Sequence, residues 1–310
     1  MTISFIVTTY NIPSDMLLAC INSLLGLSLS DQEREIIVVD DGSEVDVLNP
    51  LLEIENKIIY LRQPNKGLSE ARNIGLRIAT GDYIQFIDGD DSLLKIPYEH
   101  CLDLVRFHNP DMVLFNATDN KHQKTPFNYN GPMTGTEFMH NNNLKGSACC
   151  YIFRRSILGD LRFTPGLLHE DEEFTPLLVL RAERLFCGDC AAYYYRQRPD
   201  SITNRRDTDF LERKLEDVER IIFHLKEVAD HLPRAEKLAM ERRVAQLTMD
   251  YLYNIIRTTH DKKHLNAAIG RLMKRNLYPL PDKDYSKKYR LFRRLIATKV
   301  GRAMLFMMIH

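Results

Sequence analysis

The sequence predicts an α/β fold: a mostly parallel central sheet with helices on both faces, followed by a helical C-terminal region. Three observations predict it. Strand-like segments such as IIVV (36–39) and YIQFI (83–87) are almost unbroken apolar runs, the pattern of strands buried on both faces. Segments with helical apolar spacing separate them, which makes the repeating unit βαβ. Beyond Asp207 the strand pattern stops and only helical periodicity remains.

In chain order, ISFIVTTY (3–10) is a β-rich run ending in polar residues. Asn11, Pro13 and Ser14 mark the turn before the helical MLLACINSLLGL. REIIVVDDGS is the second strand and runs into Asp40, Asp41, Gly42 and Ser43. A short helix is expected near 46–54, and KIIYLRQ reads as the third strand. In GLSEARNIGLRIAT, Leu68, Ala71, Ile74, Leu76 and Ile78 form the apolar side of a helix that Ser69 and Glu70 suit as a start. YIQFI, the fourth strand, ends in Asp88, Gly89, Asp90 and Asp91.

A helix over 95–107 and a strand over 111–117 follow. Residues 118–148 are rich in Asn, Lys, Pro and Gly, with one short helical piece starting near Thr134. CCYIFRRSIL supplies a strand and turn, HEDEEFTPLLVLRAERL a helix with an acidic start, and an aromatic strand opening at Cys190 leads into the basic loop RQRPDSIT. Helices are expected over 209–229, 235–258, 262–275 and 288–307. A seam near residue 205 divides a domain at 1–204, of about the size needed for its own core, from a helical region at 205–310.

The net charge of zero conceals an asymmetry. Residues 262–302 hold 13 Lys or Arg against Asp282 and Asp284, an excess of 11, so the rest of the chain carries minus 11. Six cysteines in a chain without a recognisable secretion signal read as reduced and mostly buried, and point to the cytoplasm. Cys187 and Cys190 have C-x-x-C spacing and Cys149 and Cys150 would complete four ligands, but neither pair sits in the Gly-rich turn that a zinc knuckle uses. No apolar run reaches the length needed to span a bilayer. The basic stretch has no nucleic-acid reader motif, so no nucleic-acid partner is expected.

Asp88, Asp90 and Asp91 pose the sharpest question, because like charges so close cost free energy unless a cation or donors neutralise them. In parallel sheets ligands gather at the carboxyl ends of the strands, and both this group and Asp40–Asp41 stand there. Asp88 and Asp90, separated by a glycine, can converge on one hard divalent ion such as Mg2+ or Mn2+, while Asp91 points elsewhere and orients a neighbour. The plainer alternative is that these acids only cap the next helix. Neither G-x-G-x-x-G nor a P-loop follows the first strand. A site that carries a diphosphate by metal, rather than by a glycine cradle, fits better.

FIVTTYN, VVDDGS, NKGLSEARNIGL, YIQFIDGDD, HEDEEF and YYYRQRPDSIT occur in this order over residues 3–204. With these motifs the chain resembles the bacterial family-two glycosyltransferases that build capsular, O-antigen and other cell-surface polysaccharides. The resemblance implies a GT-A fold, with a donor-binding half at about 1–92 and an acceptor-binding half at about 93–204. It implies a nucleoside diphosphate sugar donor of uridine type, Mn2+ or Mg2+, and inversion at the anomeric centre.

The resemblance also implies roles. Thr9 and Tyr10 form the nucleotide pocket wall. Asp41, with Asp40, receives the base N–H. Arg72 lies by the phosphates or carboxylates of the site. Asp88 and Asp90 are the D-x-D metal ligands, with Gly89 where many relatives carry serine. Asp171 is the base that deprotonates the acceptor hydroxyl and Glu170 its supporting neighbour; helix-dipole stabilisation is the plainer account of that acidic group. Glu172 and Glu173 are helix-facing or solvent acids. His169 touches the acceptor or fills a gap. Arg198, rather than Arg196, closes on the donor phosphates beside Ser201 and Thr203, the alternative being a solvated turn. The acceptor is a saccharide or lipid-linked saccharide.

The tail KKYRLFRRLIATKVGRAMLFMMIH is basic and amphipathic. It either lies on an anionic membrane surface or packs its apolar side on the body. The non-enzymatic alternative for the whole chain is a sugar-nucleotide binding or assembly subunit. A sugar-phosphate nucleotidylyltransferase is disfavoured because FIVTTYNIPSD lacks the Gly-rich basic loop that such chemistry uses.

Overall fold

A computed structural model describes residues 1–123, 126–198 and 207–309. The chain divides into two compact units: Met1–Phe138 with Gly146–Ser201, and Met139–Lys145 with Ile202–His310.

The first unit contains β1 (Ile3–Thr9), α1 (Ser14–Leu25), β2 (Arg34–Asp40), β3 (Ile59–Arg62), α2 (Leu68–Ile78), β4 (Tyr83–Asp88), β5 (Ser92–Leu93), α3 (Lys95–His108), β6 (Met112–Thr118) and β7 (Tyr129–Met133). It continues through α4 (Gly135–Asn141), whose end passes into the second unit, to β8 (Tyr151–Arg154), α5 (Glu170–Val179) and β9 (Leu185–Tyr194).

These strands form one sheet in the order β3-β2-β1-β4-β8-β6-β9-β5, with β7 added alongside β9. The block β3-β2-β1-β4 is parallel throughout, as its continuous apolar strands predict: all seven residues of β1 are buried. β8 joins β4 and β6 antiparallel, so the sheet becomes mixed in its second half. β1 has β2 on one side and β4 on the other. The chain thus reverses its direction of travel across the sheet at β1, and such a switch point opens a crevice at the strands' carboxyl ends. The register places Thr9 beside Asp40 and Thr8 beside Asp88. The two acidic motifs therefore flank the end of one strand.

Close packing fixes this block. At Gly75 of α2 an added Cβ would lie 2.2 Å from Ile6 Cγ2, so α2 approaches β1 as only a glycine allows.

Several elements differ from the sequence reading. The segment expected as a helix near 46–54 is a 3-10 run, Asn49–Lys57, with Leu51 as its only buried residue. With so little apolar surface to bury, no regular α-helix is held there. β7 was hidden in a polar Asn-Gly-Pro stretch. Among the described residues it pairs with β9, and an edge strand tolerates proline. β9 starts at Leu185, five residues before the expected Cys190, because the polar Gly188–Asp189 interrupts the apolar pattern without breaking the strand.

The second unit holds α6 (Thr208–His231), α7 (Arg234–Thr259), α8 (Lys262–Lys274), α9 (Lys287–Ile296) and α10 (Lys299–Met308). Leu225, Met240, Leu252, Ile255, Ala268 and Ile296 are fully buried in it. Side-chain caps set the helix starts: Asp207, Asp261, Ser286 and Thr298 each accept a backbone N–H from the first turn. The continuous helix expected over 288–307 is split because Thr298 caps a new helix by accepting from Gly301 N at 2.9 Å. No helix among the described residues is long and apolar enough to cross a membrane.

Candidate active site

Arg72 is the centre of the site. It projects from α2, 3% exposed, at the carboxyl end of the parallel block. Its Nη2 donates to Asp88 Oδ1 at 2.9 Å and its Nη1 to Glu170 Oε1 at 2.5 Å. Phe86 and Phe163 present ring faces 5.9 and 5.4 Å from its guanidinium carbon. Burial works against its charge, but Asp88, Cys149 and Glu170 outweigh burial and hold its pKa well above the ordinary value. A compact ammonium could not serve both carboxylates in this planar geometry.

The three aspartates after β4 have different partners. Asp88 is partly open and also meets Thr8 Oγ1 at 3.5 Å. Asp90 pairs with Arg198 Nη2 at 2.7 Å. Asp91 is turned inward, 1% exposed, and accepts from Tyr193 Oη at 2.6 Å and Arg196 N at 2.8 Å. The expectation that Asp91 orients neighbours therefore holds. Tyr193 Oη also accepts from Asp88 N at 3.1 Å, so β9 fixes both ends of the DGDD turn. Burial pushes the Asp91 carboxyl up to about 8, with the charge of Asp88 adding and Tyr193 and Arg196 opposing. Burial, then Asp88, also raise Asp90, against the pull of Arg198.

Both arginines of the basic loop converge on this turn. Arg196 donates from its backbone N to Asp91 and from Nε to the Asp90 carbonyl at 2.8 Å, and Arg198 neutralises the Asp90 side chain. Ser201 and Thr203 lie outside the described residues.

The second acidic pair opens α5. His169 has φ +59°, an unusual left-handed conformation for a non-glycine residue, and turns the chain into the helix at Glu170. Glu170 is buried against Arg72. Asp171 is half-buried, and its carboxylate has no hydrogen bond or ion pair among the described residues. Burial raises Glu170 to about 7, opposed by Arg72 and reinforced by Asp171. Glu173 is no solvent acid: it is buried and accepts from Thr164 Oγ1 at 2.5 Å.

On the other side of β1, Asp40 and Asp41 are buried and shape two loops. Asp40 accepts from Ser43 N and Tyr60 Oη at 2.9 Å. Asp41 accepts from Gln63 Nε2 at 2.5 Å and from the backbone N of Lys66 and Gly67 at 2.8 Å. Immediately after them, Gly42 takes φ +78°, and a Cβ there would lie 2.7 Å from Asn65 N. Tyr10 is 46% exposed at the rim, whereas Thr9 is buried.

The sequence reading gave Gln63 and Tyr193 no role here and took Ser69 only as a helix start. Gln63 and Tyr193 hold aspartates, and Ser69 sits at the start of α2. Among the described residues, Thr9 Oγ1, Gln63 Oε1 and Ser69 Oγ are buried without a hydrogen-bond partner. For Gln63 a signal was present, since it closes the apolar KIIYLRQ run; it stands one residue past Arg62, the partner of Asp40, and donates its backbone N to the Asp40 carbonyl. Tyr193 is one of three consecutive tyrosines, and nothing local distinguishes it.

The cysteines do not form a four-sulfur set. Cys190 Sγ lies 3.6 Å from Cys101 Sγ, and Cys149 faces Arg72. Among the described residues no group of three or more His, Cys, Asp or Glu converges as a metal site.

The model of "Glycosyl transferase family 2" matches residues 4–162, just over half of the chain. The chain belongs to glycosyl transferase family 2. "Uncharacterized glycosyltransferase EpsJ" of Bacillus subtilis (strain 168) is 29% identical over 223 residues, covering 65% of this chain and 62% of that protein. The chain spans from 23% to 62% of the length of the first three curated relatives it matches. Among solved structures, S. aureus TarS 1–349 in complex with UDP-GlcNAc aligns with a TM-score of 0.70 at 22% identity, covering 99% of this chain and 88% of that one. The mannosyltransferase PcManGT from Pyrobaculum calidifontis, in complex with GDP-Man and Mn2+, aligns at 0.59 with 13% identity, covering 98% and 86%. These likenesses establish the GT-A-like fold. The family-2 match contains Arg72, Asp88 and Asp90 and ends before Glu170 and Asp171.

Proposed function

We propose that this family-2 chain is an inverting glycosyltransferase that moves a sugar from a nucleoside diphosphate sugar to a hydroxyl of a saccharide or lipid-linked saccharide in cell-surface polysaccharide synthesis. One observation carries the reading. A single buried arginine ties the D-x-D turn, at the switch point of the sheet, to the acidic start of α5. This supports a reading in which Asp88 and Asp90 serve the donor and Asp171 the acceptor. The first unit is then the catalytic domain, and the enzyme is cytoplasmic.

A uridine diphosphate sugar is the donor class we favour, because TarS, whose fold this chain shares, is described in complex with UDP-GlcNAc. Thr9 Oγ1 and Gln63 Oε1 suit the base end of the crevice. Both are buried beside Asp41 and have no hydrogen-bond partner among the described residues, and the amide edge of a base supplies donors and acceptors. Asp41 keeps lone-pair capacity on Oδ2, whereas Asp40 is given over to its turn. Tyr10 lines the rim.

Asp88 and Asp90 would hold a Mn2+ or Mg2+ ion. Their hard oxygens, and the burial and mutual repulsion that raise Asp90, fit a cation. Two carboxylates suffice where diphosphate oxygens complete the set. When bound, the ion supplies charge neutralisation of the diphosphate and of the leaving nucleoside diphosphate. Arg198, paired with the same Asp90, is placed to exchange that carboxylate for a phosphate.

Asp171 is the base. Its half-buried, unengaged carboxylate can accept the acceptor's hydroxyl proton as the oxygen attacks the anomeric carbon opposite the leaving group. Arg72 and Glu170 hold the start of α5 in place for this transfer, and His169 is assigned to the acceptor side.

Calorimetry against a panel of nucleotide sugars, with Mn2+ and with chelator, tests the reading. Metal-dependent binding of a uridine diphosphate sugar that Asp90→Ala abolishes is the expected result. Equal binding by Asp90→Ala would overturn the metal assignment.

A further inference from the structure

We infer that the second unit binds an anionic membrane surface through the exposed face of α10 and the cations of α9. The inference stands on that unit alone and does not depend on the catalytic reading.

α10 has two apolar faces. Gly301, Leu305 and Ile309 are buried. Opposite them Val300, Ala303, Met304 and Met307 recur at i, i+3, i+4 and i+7 and form one exposed stripe, which Met308 widens. Val300 is 73% exposed, Met307 68%, Met308 65% and Met304 46%. A packed apolar face explains why a helix docks. It does not explain a second apolar face turned to solvent, and contiguous exposed apolar surface marks an interaction site.

The helix is held firmly enough to present that stripe. Gly301 comes so close to the end of α9 that a Cβ would lie 2.1 Å from the Leu295 carbonyl oxygen. Arg302 Nη1 donates to the Ile296 carbonyl at 3.0 Å. Fraying of a terminal helix is therefore not the reason for the exposure.

Charge selects the occupant. α9 buries Tyr289, Phe292 and Ile296 and exposes Lys287, Lys288, Arg294 and, among them, Leu291 at 57%. Lys287, Arg294 and Lys299 form no ion pair among the described residues. They belong to the segment with the excess of 11 positive charges. An exposed apolar stripe accompanied by unpaired cations complements an anionic bilayer, whose headgroups take the cations and whose acyl boundary takes the methionines. The proposed contact is with the membrane surface, the mode suited to an amphipathic helix with flanking cations.

The test is vesicle co-sedimentation of the full chain, with phosphatidylcholine alone and with phosphatidylcholine rich in phosphatidylglycerol, at low and high salt. Preference for the anionic vesicles, weakened by salt, is expected. The combined variant Val300→Ser, Met304→Gln, Met307→Gln should bind anionic vesicles about tenfold more weakly, and Lys287→Glu with Arg294→Glu should remove the salt-sensitive part. All five positions face solvent, so circular dichroism should be unchanged; if the combined variant fails to fold, Met307→Gln alone must still weaken binding. Indifference to lipid charge, or unchanged binding by the folded combined variant, overturns the inference. So does a self-association that the combined variant abolishes while vesicle binding persists, since the stripe would then cover a second copy. Nucleotide-sugar binding, measured in parallel, should be the same in every variant.

Discussion

Arg72 and Glu170 stand 98 residues apart in the chain and share a 2.5 Å hydrogen bond. The same guanidinium reaches Asp88 at 2.9 Å, so one positive charge serves two carboxylates in a largely dry setting. The motif after β4 and the motif opening α5 thus form one electrostatic unit. Removing the arginine would leave both acids without their partner, whereas removing either acid leaves the arginine one.

Arg72→Met is therefore expected to destabilise the protein by about 3–5 kcal/mol, the usual cost of breaking a buried charge pair on one side. Arg72→Lys should recover only part of this, because an ammonium cannot make both planar contacts. Urea unfolding of the three proteins checks the order.

Glu170 makes stability depend on pH. Its folded carboxyl titrates at about 7 against an ordinary 4.5, so across this window the folded protein holds a proton that the unfolded chain has released. Stability then falls as pH rises from 4.5 through about 7. The full effect is on the order of 3 kcal/mol above that range. Thermal unfolding between about pH 5 and 8 should show a falling melting temperature; Glu170→Gln should lessen the slope, and the remainder comes from Asp91, whose carboxyl is also raised, to about 8.

Asp171→Asn separates binding from transfer. The asparagine keeps the shape of the side chain and cannot take a proton, so donor affinity should stay within about twofold while transfer falls by at least about a hundredfold. Isothermal titration gives the first number and product formation with a competent acceptor the second. Transfer at the original rate would remove Asp171 as the base.

Tyr193→Phe tests the anchoring of the DGDD turn from β9. It deletes the buried 2.6 Å bond to Asp91 and the part-buried 3.1 Å bond from Asp88 N. A loss of about 1–3 kcal/mol is expected in chemical unfolding. Weaker metal-dependent donor binding should accompany it, because the turn carrying Asp90 is no longer held at both ends.

Much of the parallel block was legible before any coordinates, because strands buried on both faces have no polar side and their sequences show it. The weak points were places where local signals are small. β7 and the start of β9 are polar or interrupted, and they are strands because they find backbone partners in one another. The break between α9 and α10 depends on a threonine cap and a glycine, neither of which disturbs the apolar pattern.

For the site, residue type was legible and company was not. Asp88, Asp90, Glu170 and Asp171 stand out because a buried strand end or a helix start carrying clustered charge needs an electrostatic reason, whereas Arg72 and Arg198 were singled out by the family resemblance. Gln63, Ser69 and Tyr193 do not stand out, since an uncharged polar side chain acquires meaning only from what it faces.

The amino-acid sequence alone determined the class of fold, the positions of the two acidic motifs and the basic, apolar character of the tail. These follow from periodicity and charge, which are properties of neighbours along the chain. Tertiary structure decided that β1 lies between β2 and β4, that one arginine joins Asp88 to Glu170, and which face of α10 meets solvent. Those are relations across long separations, set by the strand order and by packing that no local pattern encodes.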